Sequence, residues 1–185
     1  MPLFSRWRDD RDLQRKALAY VATLMTDPEV ADVEWLGRVA TKGDVDHARW
    51  ELRYARRALG VIVAQRDALD DKTGSAVAHA LSEAIARDPN VDANTVDIAE
   101  RQFNARISAY RDGLDTKASG IPVATRLGQT LFAFSGGSFR DAADDIVQAG
   151  ELLGKYAADA NQSLRDAFGT AQLPDNVPPS AIANR

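Results

Sequence analysis

The chain has 185 residues, 45% hydrophobic and 27% charged, the balance of an ordinary globular protein about one domain long. Its formal charge of −4 gives the whole molecule no attraction toward nucleic acid or an anionic membrane. The absence of cysteine excludes disulfides, zinc–thiolate sites, iron–sulfur clusters and cysteine nucleophiles, and His47 and His79 are the only imidazoles.

Apolar residues recur at helical spacing nearly throughout, without strand-like alternation, and predict an all-α, single-domain bundle of about seven helices. The first helix is expected over residues 9–26, with Leu13, Ala17, Tyr20, Val21 and Leu24 on one face. Asp27 and Pro28 end it and start a second over 28–41, since Asp suits an N-cap and Pro the first helical position. Val30, Val33, Leu36 and either Val39 or Ala40 form its apolar face. Gly43 then fits a helix C-terminus, and Asp44 can cap the third helix.

The third helix is expected over 44–71. Val45, Ala48, Leu52, Ala55, Leu59, Ile62 and Leu69 fall at steps of three and four, a seam of nearly four heptads with Arg66 out of character. Trp50, Tyr54 and Val61 widen the apolar arc, which favours a bundle core over a two-stranded coiled coil.

Thr73-Gly74-Ser75 reads as a break, followed by a shorter helix to Arg87 that uses Val77, Leu81 and Ile85. Beyond Asp88-Pro89, a fifth helix over 95–114 places Val96, Ala99, Phe103, Ile107, Tyr110 and Leu114 in phase. Pro122 suits the first position of a sixth helix that ends near Phe134. Gly136-Gly137 breaks the chain again, and Ser138 with Asp141 has the spacing of a capping box. The last helix, over 139–168, has an inward face from Phe139 and Ile146 through Leu153 and Tyr156 to Leu164 and Phe168. Gly150 and Gly154 lie one turn apart on it and offer a close approach to a neighbouring helix. The third, fifth and last helices are the expected core of a domain over 1–169. Residues 170–185, with Pro174, Pro178 and Pro179, have no periodicity and are expected to be an extended or disordered tail. No segment has the apolar run of a spanning helix or secretory signal, which makes the cytoplasm the expected location.

Four features could carry chemistry. His47 and Glu51 are four apart on the third helix, and His79 and Glu83 repeat that spacing on the fourth, so each pair could offer an imidazole and a carboxylate to one metal ion. His47 lies in the first turn of its helix, which separates the pairs along the hairpin, and two solvated helix faces are the plainer reading. Asp88, Asn90, Asp92 and Asn94 match the alternating oxygens that open an EF-hand calcium loop. Ala93 stands where that loop has Gly and Ala99 where it has the bidentate Glu, so helix-stopping and capping roles suffice.

Arg49, Arg53 and Arg56, with Arg57, lie beside Trp50 and Tyr54, a mixture suited to phosphates or a partner surface. Glu51 and Asp46 argue against nucleic acid. Leu3, Phe4 and Trp7 alternate with arginines, the chemistry of a short interfacial anchor or a docking clasp. Asp9, Asp10 and Asp12 follow and oppose an anionic membrane. Residues 43–52 and 89–98 form a weak repeat, each with acidic or amide groups at a helix start followed by an apolar face.

Ser135 lacks the nucleophile-elbow spacing, and no phosphate-binding glycine loop is present. No catalytic residue and no cofactor is therefore expected. The favoured expectation is a non-enzymatic helical module that engages a protein partner or itself. A cation- or metal-binding helical protein, and a peripheral membrane or anionic-polymer binder, are the alternatives.

Overall fold

Seven α-helices and one 3-10 turn make up the computed structural model, which describes residues 3–68, 71–115 and 120–169, the side chains of 3–8 and 93 excepted. They are α1 (Leu3–Leu24), α2 (Val30–Val39), α3 (Val45–Asp67), α4 (Asp71–Ala86), the turn Ala93–Thr95, α5 (Val96–Leu114), α6 (Val123–Phe134) and α7 (Ala143–Phe168). No strand occurs among the described residues, and the all-α class follows directly from the 3.6-residue periodicity. The expected tail over 170–185 and the side chains of Leu3, Phe4 and Trp7 lie outside the described residues.

Local chemistry sets several boundaries where the sequence places them. At the end of α2, Lys42 and Gly43 take positive φ values of 56° and 91°, and Gly43 N–H donates to Gly37 O at 2.8 Å. Asp44 then caps α3 by accepting from His47 N–H at 2.9 Å. Pro122 stands at the N-cap of α6, one residue before the expected position.

Other boundaries differ. Thr73-Gly74-Ser75 does not break the chain but lies within α4, where a Cβ added at Gly74 would come within 3.6 Å of Gln65 Cα near the end of α3. A glycine read as a breaker is here a contact between two helices. The last helix starts at Ala143, four residues later than expected, because Asp141 turns into positive φ at 59°. Ser138 accepts from Arg140 N–H at 3.2 Å instead of forming a capping box with Asp141. Phe139 is consequently 54% exposed, and Val30, also assigned to an inward face, is 72% exposed.

α3 is the centre of the molecule. It packs against α2, α4, α5 and α7, and every residue from Glu51 to Ala64 except Arg56 is buried. Leu52 and Leu59 are fully enclosed, each contributing roughly 1.5–3 kcal/mol by leaving water. α7 is its principal partner and presents Ile146, Ala149, Leu153, Tyr156, Ala160 and Leu164 inward. α1 joins through Tyr20, whose hydroxyl donates to Gly60 O at 2.8 Å. α5 lies on α3 and α6 through Phe103 and Tyr110, and it also buries Arg106.

The closest helix contact is between α6 and α7. A Cβ at Gly128 would collide with the Ile146 carbonyl oxygen, and one at Gly150 with that of Ala124. Gly150 is thus consumed inside the bundle, whereas a Cβ at Gly154, one turn on, would meet nothing within 4 Å. Gly128→Ala and Gly150→Ala should each cost roughly 1–3 kcal/mol through overpacking. Gly154→Ala should stabilise by about 0.5–1 kcal/mol by removing glycine from an exposed helix interior. Urea unfolding of the three variants checks this, and equal effects at Gly150 and Gly154 would contradict the packing.

Candidate functional site

Arg53, Arg56 and Arg57 of α3 are turned onto neighbouring parts of the protein. Arg53 is 7% exposed; its Nε–H donates to Asp27 Oδ1 at 2.7 Å, and its guanidinium lies 4.9 Å from the Trp50 ring centroid. Arg56 donates to Thr26 Oγ1 at 2.6 Å and lies 4.5 Å over the Tyr156 ring. Together they clasp the corner between α1 and α2. Arg49 and Arg66 face outward, paired with Asp46 and Asp67, each at 2.7 Å. The stripe therefore serves mainly to join helices, and long arginine stems suit such packing.

Arg57 is the largest fully buried side chain among the described residues. Its Nη2–H donates to Asp88 Oδ2 at 2.8 Å, while Nε and Nη1 have no acceptor among the described residues. Asp88 Oδ1 accepts from the backbone N–H and side-chain amide of Asn90 at 3.0 and 2.9 Å. Burial pushes the Asp88 carboxyl up, but the Asn90 donors and the Arg57 guanidinium outweigh it and hold it below its ordinary value. This residue is turned inward onto α3. Asp92 caps the following turn by accepting from Asn94 N–H at 2.8 Å. The four oxygens of the expected calcium loop are thus divided between an interior ion pair and a helix start.

The two histidine–carboxylate pairs form within each helix, His47 Nε2 to Glu51 Oε1 at 3.4 Å and His79 Nε2 to Glu83 Oε1 at 3.5 Å. They remain separate. Among the described residues, no group of three or more histidine or acidic side chains has the arrangement to hold a metal ion. His79 is largely exposed, and Glu83 also meets Arg87 at 3.5 Å.

Glu51 leads to a different constellation. Arg106 of α5 grips its carboxylate in two hydrogen bonds, Nε–H to Oε2 at 2.9 Å and Nη2–H to Oε1. The guanidinium also donates to Gln102 O at 3.0 Å and lies between the rings of Tyr54 and Phe134, at 5.0 and 4.4 Å. The Tyr54 hydroxyl donates to Gln102 Oε1 at 3.2 Å. Burial raises that hydroxyl above its ordinary pKa, with Arg106 pulling the other way.

Above this pair lies a cleft of about 420 Å³ between α3 and α5. α3 supplies His47, Trp50, Glu51 and Tyr54; α5 supplies Ile98, Ala99, Gln102 and Arg106; Asn90, Val91 and Thr95 close one end. Trp50, Tyr54 and Phe103 form a series of rings with centroids 5.6 and 6.2 Å apart. The two segments of the weak repeat face each other across this space: His47, Trp50 and Glu51 come from one, and Val91, Thr95 and Ile98 from the other. Arg106 and Gln102 were not singled out from the sequence. A signal existed, since Arg106 shares the helical phase of Phe103 and Tyr110, where an apolar residue is otherwise expected.

No helix among the described residues is long and apolar enough to cross a membrane. Asp88→Asn should cost about 3–5 kcal/mol because it leaves the buried Arg57 charge uncompensated. Asp88 binds its proton less readily folded than unfolded, so its contribution is complete above the ordinary carboxylate value of 3.8 and is lost as pH falls through the lower folded value. Urea titrations at neutral and acidic pH should show the gap between wild type and variant narrowing on acidification. A constant gap would contradict the ionic role.

Comparison with known proteins finds no matching family model, no matching curated protein and no matching solved structure.

Proposed function

We propose that the chain is a non-enzymatic helical binding module that holds a segment of a protein partner in the cleft between α3 and α5. One observation carries this reading. The cleft combines half-buried Trp50 and 46%-exposed Ile98 with a floor whose charges are already committed to each other. Aromatic side chains beside neutral hydrogen-bonding groups are the chemistry of binding pockets, because they desolvate cheaply and still fix orientation. A carboxylate gripped twice by an arginine suits a rigid floor better than a group that must exchange protons. Its volume falls at the low end of roughly 300–1,000 Å³ for ligand pockets, which fits an anchoring side chain with its backbone.

The test is site-resolved photo-crosslinking in the native host. A photoreactive residue at position 98, on the rim, should give a discrete protein adduct. Adding Gln102→Trp, which fills the cleft, should suppress that adduct at least several-fold. The same probe at Leu18 on α1, 50% exposed, should not reproduce it. Identical adducts from both positions, or an adduct that survives the filled cleft, would overturn the reading.

A further inference from the structure

Resting on that reading, we infer that the α3–α5 cleft selects an uncharged aromatic residue presented on a peptide backbone and rejects a charged anchor. Three properties of the walls converge on this chemistry. The first is charge. Glu51 is only 3% exposed and both its oxygens are held by Arg106, while His47 lies 3.4 Å from the same carboxylate. No lining carboxylate or guanidinium is left without a partner among the described residues. A lysine or glutamate entering the cleft would lose water and gain no free counter-charge, the costly case for a buried ion. Asp92, Asp97 and Arg101 neighbour lining residues in the chain but are exposed, so water and salt weaken their fields.

The second property is the ring series from Phe103 through Tyr54 to Trp50. Its spacing of 5.6 and 6.2 Å lies within the range of favourable ring–ring contacts, and Trp50 is its solvent-side end. A further ring set against Trp50 continues the series. The third is hydrogen bonding. Trp50 Nε1–H and the Gln102 side-chain N–H₂ have no acceptor among the described residues, while the Asn90 side-chain amide is oriented by its bond to Asp88 Oδ1 at 2.9 Å. These neutral groups match the carbonyl and N–H of a peptide unit, whereas an isolated hydrocarbon would leave them unsatisfied.

Capped tripeptides Gly-X-Gly, with X = Phe, Lys or Glu, provide the test. They are titrated into the full chain while the Trp50 indole N–H and Gln102 side-chain N–H₂ are followed by NMR, with Trp50→Phe assigning the indole signal. The Phe peptide should shift both signals, and the Lys and Glu peptides should bind at least about tenfold more weakly. Salt should change the Phe affinity by less than about twofold, since no net charge is exchanged. Gln102→Leu should weaken the Phe peptide several-fold while leaving the fold intact, because Gln102 is exposed. Equal binding of the Lys or Glu peptide, or no shift with any of the three, would overturn the selectivity. Crosslinking from position 98 decides separately whether the cleft binds a protein at all.

Discussion

A helix enclosed by four others that still carries charges is the constraint on which this molecule depends. α3 buries Glu51, Arg53 and Arg57 along with its apolar residues. Each of these ions needs a partner delivered from a distant part of the chain, because an unpaired charge at such depth costs several kcal/mol. Asp27 comes from the α1–α2 corner, Asp88 from the end of α4, and Arg106 from α5. The apolar surface drives these elements together without directional preference, and the ion pairs add the direction.

Arginine and aromatic rings recur as the joining material. Guanidinium groups stand over Tyr54, Tyr156 and Phe134 across helix contacts, and over Trp50 within α3. Delocalised charge lets arginine lie on a ring and still reach a carboxylate in its own plane, which lysine cannot do. The same preference shapes the cleft. Arg106 is spent on Glu51, Gln102 and two rings, so the space above it is lined by neutral polar atoms and aromatic faces.

The helices were legible because their apolar periodicity is long and regular, and α3 and α7 are the clearest cases. The departures cluster where one-dimensional rules weigh glycine and chain ends. Gly74 carries the same local signal as Gly43, yet one packs inside α4 against Gln65 and the other turns into positive φ after α2. Only the presence of a neighbouring helix distinguishes them. Val30 and Phe139 fit an apolar phase but stay exposed, Val30 in the first turn of α2 and Phe139 in the connection between α6 and α7, outside either helix. In the site, Glu51 and Trp50 stood out by residue type. The pairs Glu51–Arg106 and Tyr54–Gln102 span 55 and 48 residues, beyond any local pattern.

Zero cysteines and two histidines limit the chemistry available to the chain. By itself the sequence determined the all-α class, the number and approximate extent of the helices and the faces they bury, because helical periodicity and capping are local properties. The tertiary structure alone decided which charges meet, that Gly150 closes onto α6 and not onto a partner, and that Glu51 belongs to Arg106 and a cleft. Those outcomes depend on contacts between residues far apart in the chain, where geometry and desolvation rather than spacing select the partner.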